Sequence, residues 1–100
     1  VVGTGLAIEL PPNHKGEVYS RSGLASQGVF VPNSPGKIDP DYRGELKVIL
    51  YNTREELVGI ETGERIAQLE VNPFYTIEFE EVEELSSTER GGGGLGSTGV

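Results

Sequence analysis

Cysteine, methionine and tryptophan are absent from this 100-residue chain, and histidine occurs once, at His14. Without cysteine there is no disulfide framework, no thiol nucleophile and no thiolate zinc site, and a single imidazole does not build a catalytic zinc centre. Aromatic residues make up only 7% of the chain and apolar residues 35%, so a core has little bulky material to fill it. Basic residues are few as well: 8 Lys and Arg face 16 Asp and Glu, which leaves a net charge of −8 and a pI of about 4.5. That balance argues against non-specific attraction to a nucleic-acid duplex or an anionic membrane, and a polyanionic ligand would need a local basic pocket. No apolar run nears the ~18 residues of a membrane span; the longest is Val48 to Tyr51. Val1 to Glu9 shows no basic region followed by an apolar core, so no secretory signal is read there and the expected compartment is cytoplasm or nucleus.

What is present is turn chemistry between short β-type runs. A chain this short makes one domain, since either half alone would bury too little, and help from oligomerisation is expected. Glycine concentrates in RGGGGLGSTGV, Arg90 to Val100, a composition that cannot offset its own ordering entropy. The expected organisation is a β body over residues 1–85 and a flexible arm over 86–100. Strands are expected at Gly5 to Leu10, Gly16 to Tyr19, Val29 to Val31, Leu46 to Asn52 and Arg65 to Val71. Tyr75, Ile77 and Phe79 alternate as in a strand, while Phe79, Val82 and Leu85 recur at helical spacing; a long bulged strand over Tyr75 to Leu85 is favoured. One helical turn is expected around Ser22 to Ser26, capped by Ser20 or Ser22 and ended by Gly28. Strand after strand at short spacing indicates an all-β sandwich, barrel or jelly roll.

Four polar clusters could carry chemistry. Arg21, Ser22 and Gly23 place a guanidinium and a hydroxyl at a helix start, which suits phosphate oxygens, though a capped turn with a surface Arg reads the same way. Asn33 to Lys47, NSPGKIDPDYRGELK, is a hairpin whose backbone could face a planar heterocycle. Asp39 there offers a carboxylate made rigid by Pro40, or simply a turn residue; Tyr42 could stack on a ligand or pack on the body. In Gly63 to Val71, GERIAQLEV, Gln68 is the residue that packing does not explain. The Gly-rich arm has Arg90 at its base, and it is no Walker loop, since it lacks Gly-Lys-Ser/Thr.

Taken in order, RSGLA, NSPGKIDPDYRGE, GERIAQL and RGGGGLGSTG resemble four of the five motifs of the trimeric dUTPase family. The resemblance covers essentially the whole chain. It implies a jelly roll or distorted β-barrel, a homotrimer with active sites shared between subunits, and an arm that closes over a neighbour's site. It further implies hydrolysis of dUTP to dUMP and pyrophosphate, limiting uracil in DNA and supplying dUMP for dTMP synthesis. Mg²⁺ would be held by the triphosphate and waters, with no direct protein ligand. By the same resemblance Arg21, Ser22, Gly23, Gln68, Arg90, Gly96, Ser97 and Thr98 bind phosphates. Asn33, Gly36, Lys37, Ile38, Asp39, Tyr42 and Lys47 hold the nucleoside, with Asp39 as the catalytic carboxylate and Lys47 acting through its backbone. Leu95 stands where the family commonly has an aromatic that stacks on uracil. The family's first motif, an Ala-Gly-x-Asp-Leu segment whose Asp holds waters on Mg²⁺, would precede Val2 to Ile8 and is not among these residues. Two rival readings are a dCTP deaminase or bifunctional deaminase, and a non-catalytic trimeric nucleotide-binding or regulatory module.

Overall fold

The computed structural model describes residues 1–99, so Val100, the end of the expected arm, lies outside the described residues. Seven short strands and one helical turn follow in the order β1 (Val2–Gly3), β2 (His14–Ser20), α1 (Ser22–Ser26), β3 (Val29–Phe30), β4 (Gly36–Ile38), β5 (Lys47–Val48), β6 (Tyr51–Asn52) and β7 (Ala67–Pro73). The main sheet runs β4-β2-β7, all antiparallel; two-stranded ladders β1-β5 and β3-β6 complete the architecture. The class is all-β, as read, but these three sheets do not close into a barrel. No helix among the described residues is long and apolar enough to cross a membrane.

β2 is the organising strand. It pairs with β7 from His14↔Pro73 to Ser20↔Ala67 and with β4 from Gly16↔Ile38 to Val18↔Gly36. One face of this sheet therefore carries Lys15, Glu17 and Tyr19 opposite Asn72, Glu70 and Gln68. There the Tyr19 hydroxyl donates to the Glu17 carboxylate, and Lys15 Nζ lies 3.3 Å from it. The tyrosine hydrogen bond, ahead of the lysine, holds Glu17 below the usual carboxylate range, while the same carboxylate pushes Tyr19 up to about 12. Glu17 thus favours the fold once pH exceeds its unfolded value near 4.5, an advantage lost as pH falls through its lowered value.

The buried apolar residues are few: Leu10, Val29, Val31, Leu46 and Val48. Val29 lies in β3 and Val48 in β5, with Val31 and Leu46 next to those strands in sequence. Expected strands were revised wherever a pairing edge was lacking. Gly5 to Leu10 is irregular rather than a strand, since Gly5 takes φ +73 and Pro11 and Pro12 follow; only Val2–Gly3 pairs, with Thr4 N–H and Leu46 N–H extending the contact less regularly. Leu46 to Asn52 divides in two: β5 pairs with β1 and β6 with β3, so the chain changes sheets at Ile49 and Leu50. Tyr75 to Leu85 forms no strand. Tyr75 and Phe79 are 93% and 95% exposed, and among the described residues no strand pairs with them.

The helical turn forms at Ser22–Ser26 but is capped differently from expectation. Arg21 is the N-cap, with no side-chain cap bond, because the Ser20 hydroxyl instead accepts the Val31 N–H at 2.8 Å. Gly28, at φ +90, donates its N–H to the Ala25 carbonyl and ends the turn as expected; a side chain at that φ would be strained.

Candidate active site

The connection from β4 to β5, still termed the hairpin although β4 pairs with β2 and β5 with β1 and the two do not pair with each other, builds the first part of the site. Its entry turn closes with Ser34 N–H on the Val31 carbonyl at 3.2 Å, and the Asn33 amide packs over Gly36, where a Cβ would come within 3.0 Å of it. β4 pairing with β2 then aligns Gly36, Lys37 and Ile38. At the far end Tyr42 N–H bonds the Asp39 carbonyl at 3.1 Å, the turn that Asp39-Pro40-Asp41-Tyr42 favours locally. The Tyr42 hydroxyl donates to the Glu45 carbonyl at 2.7 Å.

The turn is also tied to the N-terminal segment. Arg43 Nη1 donates to the Pro40 carbonyl at 2.7 Å, while its Nη2 lies 3.4 Å from Glu9. Glu45 Oε2 accepts the Gly5 N–H at 2.9 Å, and Thr4 Oγ1 donates to the Leu46 carbonyl at 2.7 Å. As a result Lys37, Ile38, Asp39, Tyr42, Glu45 and Lys47 enclose one open recess of about 180 Å³. Asn33, Gly36, Lys37, Ile38 and Lys47, with Ile49, line an adjoining one of about 150 Å³. Asp39 Oδ1 faces Lys37 Nζ at 3.2 Å, with both side chains more than half exposed.

A second recess, about 160 Å³, is lined by Arg21, Ser22, Gly23 and Gln68. Forty-eight residues separate Gln68 from Ser20, yet the β2-β7 register sets Gln68 opposite Tyr19 and lets its Nε2 donate to the Ser20 carbonyl at 2.8 Å. The amide is thereby held beside Arg21. The first N–H groups of α1, which no helical carbonyl can satisfy, add donors to a guanidinium and a hydroxyl. β2 carries both parts: β4 pairs along one side of it, and the Arg21 cluster leaves its end.

The arm stands apart. Thr88, Glu89, Arg90, Gly93, Ser97 and Thr98 line a recess of their own, shaped by tight turns: Gly93 N–H to Arg90 carbonyl, Ser97 N–H to Gly94 carbonyl, and Gly99 N–H to Gly96 carbonyl. Arg90 Nε donates to the Gly93 carbonyl at 2.7 Å, so its guanidinium is engaged within the arm. Leu95, fully exposed and at φ +35, lies over no part of the hairpin recess. The structure therefore gathers the hairpin set in one place and the Arg21–Gln68 set in another, and leaves Arg90, Leu95, Gly96, Ser97 and Thr98 in a third group.

Four residues lining the hairpin recesses escaped the sequence reading as site residues: Val18 and Val31, which read only as strand residues, and Glu45 and Ile49. Glu45 and Ile49 follow the alternation of Lys47 at a spacing of two, which was the available signal for them.

Comparison with known proteins gives this geometry a context. The family model described as dUTPase matches residues 1–99. The deoxyuridine 5'-triphosphate nucleotidohydrolase of Hydrogenobaculum sp. (strain Y04AAS1) is 54% identical over 101 residues, covering 100% of this chain and 70% of that protein. That of Anaeromyxobacter sp. (strain Fw109-5) is 54% identical over 100 residues, with 99% and 68% covered. Among solved structures, a glycine-to-serine mutant of the Staphylococcus bacteriophage 80alpha dUTPase with dUpNHpp superposes with a TM-score of 0.80 at 33% identity, over 94% of this chain and 72% of that one. A dUTPase mutant from phage phi11 of S. aureus, described for its coordination of a structural Mg(II) ion, reaches 0.68 at 26% identity over 81% and 69%.

Proposed function

The chain belongs to the dUTPase family, and we propose that its hairpin recess holds the deoxyuridine while the Arg21–Gln68 recess receives the phosphates. The reaction is dUTP diphosphatase chemistry: dUTP and water give dUMP and pyrophosphate. The observation that carries the assignment of roles is that Asp39 and Tyr42 line one recess, with the β4 backbone beside them. Uracil pairs with backbone groups near Gly36 to Ile38 and with Asn33, and Tyr42 packs under the sugar, where a 2′-OH would collide. Asp39 orients a water on the α-phosphorus and takes its proton; the bond from that phosphorus to the bridging oxygen breaks, and pyrophosphate leaves. The relatives are named as nucleotidohydrolases, which sets the deaminase reading aside.

On a protein with net charge −8, a triphosphate needs local donors and a counter-ion. Among the described residues no group of three His, Cys, Asp or Glu is placed to hold a metal. On this reading Mg²⁺ is carried by phosphate oxygens and water, the usual arrangement for a small cation that dehydrates reluctantly. Arg21, Ser22 and Gln68 would then position the phosphates, and the ion would supply charge neutralisation on the oxygens. The direct test is steady-state hydrolysis of dUTP against UTP and dTTP, with and without a chelator. Strong preference for dUTP and loss of activity on chelation are expected. Comparable kcat/KM for UTP would remove the sugar argument, and insensitivity to chelation the metal argument.

The proposal extends to a homotrimer in which the arm of one subunit serves another's site. Two features support it. The chain's radius of gyration is 19.0 Å, against about 13 Å for a self-contained domain of this length. In addition, Tyr75, Ile77 and Phe79 alternate along a segment that is largely exposed and that pairs with no strand among the described residues. Light scattering at micromolar concentration should give about three times the chain's 10.7 kDa. A stable, active monomer would refute the shared site.

A further inference from the structure

We propose that Gly44 is a positioning residue for sugar discrimination, acting by leaving the space in which the Tyr42 ring lies. This rests on the reading that Tyr42 excludes a 2′-OH. A Cβ built at Gly44 would stand 2.5 Å from Tyr42 Oη, 2.7 Å from Cζ and 3.0 Å from Cε1. Real Cβ atoms do not approach so closely, so any side chain at position 44 must move the ring. Gly44 is not among the glycines at positive φ, so alanine could adopt its backbone conformation; what forbids alanine is the ring itself.

The surroundings leave the ring as the part that yields. On the N-terminal side the turn is held by Tyr42 N–H on the Asp39 carbonyl and by Arg43, which bonds the Pro40 carbonyl and pairs with Glu9. On the C-terminal side Glu45 is tied to the Gly5 N–H, and Leu46 is buried with its N–H on the Leu6 carbonyl at 2.7 Å. The ring's own tether is the single hydrogen bond from its hydroxyl to the Glu45 carbonyl, one residue beyond Gly44. At 42% exposure it has open space to swing into, and that space is the recess shared with Asp39. Displacing the ring therefore changes the floor of the sugar site while the Asp39 backbone stays braced.

The test is a double-mutant cycle of Gly44→Ala and Tyr42→Ala on the assembled protein, read as the ratio of kcat/KM for dUTP to kcat/KM for UTP. Gly44→Ala should lower the ratio by about tenfold or more. Tyr42→Ala should lower it too, and adding Gly44→Ala in that background should change it by less than about twofold, because the ring it would displace is gone. An equal drop in both backgrounds, or an unchanged ratio in Gly44→Ala, overturns the proposal. Full discrimination in Tyr42→Ala alone would instead overturn the reading of Tyr42. If Gly44→Ala does not fold, thermal unfolding of the double variant decides: recovery of the fold on removing the ring supports the steric account, and no recovery refutes it.

Discussion

Asp39→Asn should reduce kcat on the order of 10²- to 10⁴-fold, the usual loss on removing a general base, with little change in the affinity for a non-hydrolysable dUTP analogue. The amide keeps the size of the carboxylate and can still meet a sugar hydroxyl, but it cannot take a proton from water. Stability should hardly change. The partner that the substitution loses is Lys37 at 3.2 Å, and that pair is more than half exposed on both sides, where an ion pair contributes about 1 kcal/mol or less. The turn itself is held by the main-chain bond from Tyr42 to the Asp39 carbonyl, which the substitution leaves in place. Kinetics and a thermal melt on the same variant therefore separate the roles: a variant keeping more than about a tenth of kcat would make Asp39 a turn residue only.

The difference between what could and could not be read from the sequence follows from how far apart the interacting residues lie. The hairpin was legible because all its parts fall within residues 33–47, and its turns use Asn, Gly, Pro and Asp where local sterics require them. β7 was legible from alternation and β2 from the turn residues that precede it, each within two residues at each end. The meeting of Gln68 with Arg21 was not a local property: it depends on the β2-β7 register, which is settled only when two strands far apart in sequence are matched against each other, so only the family resemblance suggested it. Leu46 to Asn52 misled for the same reason. Its composition is that of one strand, yet β5 and β6 answer to different partners, β1 and β3. At Tyr75 to Leu85 the alternation is real but among the described residues no strand pairs with it, and the glutamates at 78, 80, 81, 83 and 84 disfavour burying it at random. A strand-like pattern without a partner is what an intersubunit role would leave in a single chain.

Deleting residues 90–100 should leave assembly and thermal stability nearly unchanged yet lower kcat on the order of 10²-fold or more, the scale expected when donors aimed at developing charge are removed. The arm contributes almost nothing to the core: the buried apolar residues all precede residue 49, and Leu95 is fully exposed. Its donors are spent on itself, with Arg90 Nε on the Gly93 carbonyl and successive N–H groups closing turns at Gly93, Ser97 and Gly99. A triphosphate offers those groups stronger, charged acceptors, so the arm has a reason to exchange internal bonds for phosphate contacts only when the ligand is bound. The analogue of dUTP should therefore close the arm far more than dUMP does, because the difference lies in the β- and γ-phosphates that Arg90, Ser97 and Thr98 would meet. Leu95→Phe refines the test. The substitution keeps the Cβ, so the cost of φ +35 is unchanged, and an aromatic that reaches uracil should tighten closure by about 0.5–1.5 kcal/mol. Backbone amide order parameters report closure directly: values for Gly91 to Gly99 that rise with the analogue and not with dUMP are expected. Equal values in both states, together with full kcat after truncation, would reduce the arm to a linker.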